Sequence, residues 1–238
     1  MGAVRAPAMP DHASALHLLL SGDPALFAIV ALSLAVSLSA VFGGTIIGIP
    51  LGALIALTRF PGRAAVIVVL NAMMGLPPVL VGLAIFLALS HSGPLGFLGL
   101  LFTPQAMVVA QGVLVLPIIA AIARQTIEDL WVEYRDELTA MRVGALGCVW
   151  TLIWDARFSL VTAVLAGFGR AAAEVGAIII VGGNIQGFTR TMTTSIALET
   201  SKGDLSLAIG LGIILIAIIV SINALAWLAR RAGERLAG

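Results

Sequence analysis

Long stretches without a single charged residue constrain this chain more than any other feature. Residues 24–58, 64–123 and 205–229 contain no Asp, Glu, Lys or Arg. A helix needs about 20 apolar residues to cross the hydrocarbon core of a bilayer. Only 11% of the 238 residues are charged, against roughly 25% in soluble domains. Charged residues are therefore too few to cover the surface of a soluble globular protein. The sequence excludes a soluble enzyme and predicts an all-α, polytopic bundle of membrane helices.

The breaks between the apolar stretches predict about five transmembrane spans. Arg59, Pro61 and Gly62 end the first stretch, and the turn-forming residues 90–96 divide the second one. The predicted spans lie near residues 27–57, 64–89, 105–123, 158–181 and 205–229. We assign residues 24–238 to one transmembrane domain and residues 1–23 to an external N-terminal tail.

The basic residues predict how the chain is oriented in the membrane. Nine of the 13 Lys and Arg residues lie in the segments 59–63 and 124–157 and at the C-terminus, whereas Arg5, Arg190 and Lys202 lie on the other side. Cytoplasmic loops carry the excess of basic residues. We therefore expect a multi-pass membrane protein with its N-terminus outside and its C-terminus in the cytoplasm.

The first predicted span carries small residues at four-residue intervals, including Gly44, Gly48 and Gly52. Such a stripe allows a second helix to approach closely in a membrane. The partner helix could belong to the same chain or to another subunit, and the pattern favours the same chain.

Two charges interrupt the fourth predicted span. Arg170 and Glu174 are four residues apart, which places both on one face of a helix where they can pair. Small residues, among them Gly169 and Gly176, surround them and indicate tight packing. Because a charge at membrane depth costs about 2.5–3.5 kcal/mol, the pair either fixes the register of the helix or belongs to a translocation or gating element.

The segment 124–157 is the one large polar part of the sequence and holds ten of the 25 charges. Its apolar residues recur at spacings of three and four: Trp131, Tyr134, Leu138, Met141 and Ala145. This pattern predicts an amphipathic helix over residues 131–145. Six of the ten charges are acidic, whereas helices that lie on membranes usually carry basic residues on their polar face. A protein partner therefore fits this segment better than an anionic lipid surface.

The same segment resembles the coupling loop of bacterial ABC importer permeases, whose pattern is Glu-Ala-Ala, three residues, Gly and later Ile-x-Leu-Pro. Ala140 and Gly144 match this pattern, Glu137 lies one residue early, and Ala156 and Arg157 stand where Leu-Pro is expected.

Residues 166–204 resemble the corresponding region of tungstate-type permeases, a branch related to molybdate and sulfate permeases. The shared core Gly-Arg-Ala-x-x-Glu-x-Gly-Ala is matched by Gly169, Arg170, Ala171, Glu174, Gly176 and Ala177. The tungstate branch is similar further in three later stretches, residues 181–185, 189–194 and 199–204.

The resemblance implies the type I ABC importer permease fold and a subunit that moves an oxyanion, with tungstate favoured over molybdate and sulfate, by alternating access. No Walker A loop is present, because the sole lysine, Lys202, lies in Ser-Lys-Gly. This chain is therefore expected to be no enzyme and to hold no cofactor or metal, with ATP and magnesium on a partner. The implied partners are a second copy in a homodimer, cytoplasmic ABC ATPase subunits, an extracytoplasmic tungstate- or molybdate-binding protein and membrane lipid, but no nucleic acid.

The resemblance also assigns candidate roles to residues. The ATPase-coupling candidates are Glu137, Ala140, Met141, Gly144 and Ala145. Gly144 would permit a close approach by the ATPase, or it is an ordinary helix stop.

An external polar motif offers donors for a small dianion, or simply solvates its loop or contacts the binding protein. Its residues are Asn184, Thr189, Arg190, Thr193, Thr194 and Glu199, with Lys202 nearby. Two other functions stay open from the residues alone: a stand-alone secondary carrier or channel, and a non-transporting membrane scaffold.

Overall fold

Nine α-helices and one short 3₁₀ turn, without any strand, make up residues 24–237, the part of the chain that this computed structural model describes. The helices are α1 (Pro24–Leu57), α2 (Arg63–Met74), α3 (Pro78–Leu89), α4 (Pro104–Ala140), α5 (Ala145–Asp155), α6 (Arg157–Ala172), α7 (Gly176–Gly182), α8 (Met192–Lys202) and α9 (Leu205–Ala237), and the 3₁₀ turn is Gly96–Leu98. The predicted all-α class is confirmed. The predicted external tail, residues 1–23, lies outside the described residues.

Three helices are long and apolar enough to cross a membrane as single pieces. These helices are α1, α4 and α9, with 34, 37 and 33 residues. Two bent pairs of shorter helices, α2 with α3 and α5 with α6, raise the number of candidate spans to five. The predicted spans 27–57 and 205–229 lie within α1 and α9.

Helix α4 continues far beyond the predicted end of its span at residue 123. Ala123, Ile127 and Leu138 stay buried as the helix passes through the charged segment, because they pack on α1 and α5. The prediction of a separate helix over residues 131–145 is therefore wrong: α4 runs to Ala140, and α5 begins only at Ala145. The charged residues end the apolar stretch of the sequence. They do not end α4, because one face of this helix still packs on α1 and α5.

Two of the predicted spans are broken helices. The span predicted at 64–89 consists of α2 and α3, which meet at an angle of 101°. Pro77 disfavours helical geometry in Leu76, and Pro78 is the first residue of α3. The span predicted at 158–181 consists of α6 and α7, with a break at residues 173–175.

The small-residue stripe packs α1 directly against α4. A Cβ atom on Gly48 would lie 3.2 Å from Ile119 Cγ2, and one on Gly52 would lie 2.5 Å from the carbonyl oxygen of Ala120. The two backbones are therefore in contact. This confirms that the stripe is used for packing within the chain.

Replacing Gly52 by alanine is expected to destabilise the bundle by about 1–3 kcal/mol, since the new methyl group must push two backbones apart. Thermal unfolding of the purified protein in detergent measures this effect. Gly43→Ala on the same helix is the matched control, because a Cβ atom there meets nothing within 4 Å. Equal midpoints for the two variants would contradict the proposed contact.

Candidate translocation pathway and coupling surface

Arg170 and Glu174 form an ion pair at the break between α6 and α7. Arg170 Nη1 donates to Glu174 Oε2 at 2.6 Å, and the two side chains are 26% and 3% exposed. The predicted pairing is confirmed. The prediction that both residues lie on one face of a continuous helix is wrong, because α6 ends at Ala172 and Glu174 lies in the break.

Glu174 holds the break in place through several contacts. Its second carboxylate oxygen accepts a hydrogen bond from the backbone N–H of Ala177 at 2.9 Å, which satisfies a free donor at the start of α7. Its backbone oxygen accepts a hydrogen bond from Thr193 Oγ1 at 2.8 Å. Gly176 packs so closely on α3 that a Cβ atom would lie 2.8 Å from Val79 Cγ2. The two broken spans therefore meet beside this ion pair.

Arg170 is open on the side that faces away from Glu174. A guanidinium group has five N–H donors, and within residues 24–237 the carboxylate of Glu174 is the one acceptor bound to it. Small residues form the neighbouring surface: Ala166 on α6 and Ala173 in the break are exposed, and Gly169 is half-buried with no atom near the position of a Cβ. Charged residues inside membranes usually face a protein neighbour or a water-filled cavity rather than lipid.

A second polar cluster, which the sequence analysis missed, joins α1, α4, α6 and α8. Gln111 is 1% exposed, and its Nε2 donates to the carbonyl oxygen of Ala171 at 2.9 Å and to Ser37 Oγ at 3.4 Å. Ser33 Oγ accepts from the backbone N–H of Met192, at the start of α8. The signal for this cluster was the amide of Gln111 in the middle of a charge-free stretch, since an uncompensated amide in an apolar environment is costly.

The segment after α7 turns back into the bundle, whereas the sequence predicted an external loop over residues 182–204. Ser33, the partner of Met192, lies nine residues into α1, about 14 Å along its axis. Irregular backbone beside a membrane-spanning helix is tolerated where protein covers it.

The threonines of the external motif are buried and bonded to their own chain. Thr189 Oγ1 donates to the carbonyl oxygen of Gly182 and accepts from the N–H of Ile185. Thr193 binds the backbone of Glu174, and Thr194 forms a capping box with Thr191 at the start of α8. These hydroxyl groups shape the turn, so the structure does not present them as free donors for an anion.

The charged and amide residues of the motif are only partly engaged. Glu199 is buried and accepts from Lys202 Nζ at 2.9 Å. Asn184 and Arg190 are half-buried neighbours, since Arg190 Nη2 donates to the backbone oxygen of Asn184 at 3.5 Å. Arg190 Nε and Asn184 Oδ1 are buried without a partner in the described part of the chain.

The coupling candidates cluster at the turn between α4 and α5, and most of them are exposed. Glu137, Ala140, Gly144 and Ala145 are exposed, and 75% of Met141 is accessible. Leu146, in the first turn of α5, is 83% exposed. We call residues 137–146 the coupling surface.

Gly144 is the N-cap residue of α5, with φ −66° and ψ 160°. Any residue can adopt this conformation, and a Cβ atom there would meet nothing within 4 Å. The left-handed residue of the turn is Arg142, with φ 53°. Gly144 as a helix stop is therefore wrong, because α4 ends four residues earlier and nothing in this chain requires a glycine at this position.

A rigid support holds the coupling surface. Leu138, Cys148 and Leu152 are buried in one apolar cluster with residues of α1 and α4. Glu128 accepts from Arg63 Nη2 at 2.8 Å and also pairs with Arg124. Because Arg63 Nε donates to the carbonyl oxygen of Ile55, this network ties the ends of α1 and α2 to α4. The coupling surface is thus anchored on a unit that joins α1, α2 and α4.

No cluster of His, Cys, Asp or Glu that could hold a metal ion occurs among residues 24–237. Broken spans and a buried ion pair beside the break are features of polytopic membrane transport proteins.

Comparison with known proteins identifies the family. No family model matches the chain. A probable anion ABC transporter permease protein of Haloferax volcanii is 40% identical over 205 residues, which cover 84% of this chain and 88% of that protein. The tungstate uptake system permease protein of Peptoclostridium acidaminophilum is 39% identical over 211 residues, which cover 89% and 92%. The chain belongs to the family of ABC transporter permease proteins.

More distant relatives lie in neighbouring branches. The molybdenum transport system permease protein of Escherichia coli strain K12 is 31% identical over 219 residues, covering 87% of this chain and 94% of that protein. The predicted resemblance is confirmed. Membership in this family also weighs against a stand-alone carrier or a scaffold.

Proposed function

We propose that this chain is the permease subunit of an ATP-driven importer of tungstate. The observation that carries the proposal is the 39% identity to a tungstate uptake permease over nearly the whole of both chains. Identity to the molybdenum permease is lower, at 31%. Molybdate and sulfate remain the alternative substrates.

The proposed assembly contains two copies of this chain, two cytoplasmic ATPase subunits that bind ATP and magnesium, and an extracytoplasmic protein that delivers the anion. The N-terminus lies outside and the C-terminus in the cytoplasm of a multi-pass inner-membrane protein. The excess of basic residues at the α4–α5 end of the bundle supports this orientation.

The coupling surface docks on the ATPase. Its exposed apolar residues, Met141 and Leu146, offer area that this chain leaves uncovered. The open position of Gly144 lets a partner backbone approach closely. When the ATPase subunits close on ATP, the two docked surfaces move together and tilt the spans from inward-open to outward-open.

Arg170 lines the path of the anion. Its free N–H donors and the adjacent bare surface at Gly169 suit a passing oxyanion or the second copy of the chain. Glu174 keeps the guanidinium neutralised when no substrate is present, so a dianion would be held only transiently. Asn184 and Arg190 remain candidates for contact with the delivered anion or with its binding protein.

Uptake by the reconstituted complex tests this proposal. Proteoliposomes that contain the permease, its ATPase and the binding protein are expected to accumulate tungstate only with ATP on the cytoplasmic side. Molybdate is expected to compete more strongly than sulfate. Accumulation that needs only an ion gradient and no ATPase subunit would refute the proposal. A clear preference for molybdate would show that the substrate is that of the related molybdenum permeases and not tungstate.

A further inference from the structure

An apolar groove opens on the side of the bundle next to α5. Helices α1, α5, α6 and α9 form its walls, and its volume is about 390 Å³. Its lining residues are Ile49, Trp150, Ile153, Trp154, Arg157, Leu160, Val161, Val164, Leu165 and Ala226. Nine of these ten residues are apolar, and Arg157 is the single charge.

The groove runs along α6 between membrane-spanning helices. Arg157 is the first residue of α6 and Leu165 lies eight residues later, so the groove extends about 12 Å along the helix from its polar mouth. The residues beyond the mouth belong to candidate membrane spans of α1, α6 and α9. The two tryptophans of α5, 70% and 63% exposed, stand at the mouth, where such rings favour the level of the lipid headgroups.

Arg157 is a cation without a carboxylate partner in the described part of the chain. Its guanidinium stacks on the rings of Trp154 and Phe158, with centroid distances of 5.1 and 4.4 Å. One of its five N–H donors binds the carbonyl oxygen of Trp154 at 2.7 Å. The ring contacts fix the position of the charge and leave the other donors available for an anion such as a phosphate diester.

We propose that this groove is a specific site for an anionic phospholipid. An acyl chain lies against Val161, Val164 and Leu165, and the phosphate of the headgroup binds Arg157. Basic pockets between spans on the cytoplasmic side bind such headgroups in membrane proteins. Because α5 also carries the last residues of the coupling surface, the bound lipid would stabilise the helix on which that surface rests.

Native mass spectrometry of the delipidated permease tests the site. Titration is made with phosphatidylglycerol and with phosphatidylcholine of the same acyl chains. The wild type is expected to bind one phosphatidylglycerol per chain about fivefold more tightly than phosphatidylcholine, and Arg157→Gln should remove that preference. Equal affinities in the wild type, or an unchanged preference in the variant, would overturn the proposal.

A second variant separates the lipid from other occupants. Val161→Trp fills the groove and is expected to weaken both lipids about tenfold, while Val68→Trp, at a 66% exposed position on α2, is the control that should not. If Val161→Trp dissociates permease dimers and leaves lipid binding unchanged, the second copy covers the groove and the proposal fails. Transport is not measured, so the result is independent of the proposed substrate.

Discussion

Replacing Gly144 by tryptophan is expected to abolish ATP-driven uptake by the reconstituted complex while the permease still folds and inserts. The position is open within the chain, because a Cβ atom there meets nothing within 4 Å. The indole ring projects into the space that the docked ATPase would occupy. Overpacking a fitted contact costs about 1–3 kcal/mol, and a factor of ten corresponds to 1.4 kcal/mol. The affinity for the ATPase should therefore fall by about tenfold to a hundredfold.

Two further variants distinguish loss of the contact with the ATPase from loss of the N-cap of α5. Gly144→Asn preserves a good N-cap for α5, so it should impair coupling to a lesser extent without destabilising the helix. Gly212→Trp on α9 is the matched control, because a Cβ atom there also meets nothing within 4 Å. It should leave uptake unchanged. Binding of the ATPase to Gly144→Trp with wild-type affinity would show that the docking site lies elsewhere.

The apolar stretches predicted the fold class because backbone groups in a bilayer must bond within their own segment, which favours helices. They predicted the helix ends less well. The charges after residue 123 predicted the end of a span, but Ile127 and Leu138 continue the buried face of α4 to Ala140. The break at residues 173–175 also carried no sign in the sequence, because no proline lies there. Instead, the carboxylate of Glu174 and the hydroxyl of Thr193 bind backbone groups at the break.

Candidate site residues were predicted with uneven success for a similar reason. Arg170 and Glu174 were found because an unpaired charge at membrane depth is costly. The threonines of residues 189–194 were predicted as ligand donors, whereas they bond to their own backbone. A short hydroxyl side chain competes readily for nearby backbone groups. Its sequence position alone does not reveal which partner it has.

The Arg170–Glu174 pair has two proposed functions: it fixes the register of the helix, or it lines the path of the anion. Variants that neutralise the two residues singly and together distinguish these functions. Arg170→Gln leaves the carboxylate of Glu174, 3% exposed, without its cation. Loss of one partner of a buried pair costs about 3–5 kcal/mol, and in a chain of this size about 1 kcal/mol shifts the unfolding midpoint by about 2–4 °C. We expect the midpoint of Arg170→Gln in detergent to fall by about 6–20 °C.

Glu174→Gln should have a smaller effect, because the amide oxygen can still accept from the N–H of Ala177 and the guanidinium of Arg170 is 26% exposed. Arg135→Gln serves as the stability control. It removes the pair of Arg135 with Asp136, whose side chains are 54% and 90% exposed, and such pairs contribute only about 0–1 kcal/mol.

The double variant Arg170→Gln/Glu174→Gln decides between the two functions. It buries no unpaired charge, so its unfolding midpoint should return to within a few degrees of the wild type. If Arg170 also lines the anion path, uptake of tungstate should stay low, since an amide supplies no positive charge to a dianion. The comparison requires midpoints and initial uptake rates from the same preparations. Recovery of both stability and uptake in the double variant would assign the pair to helix register alone. We expect stability to recover without uptake. The N–H donors on the open side of Arg170 do not hold the break, so they remain available for the anion.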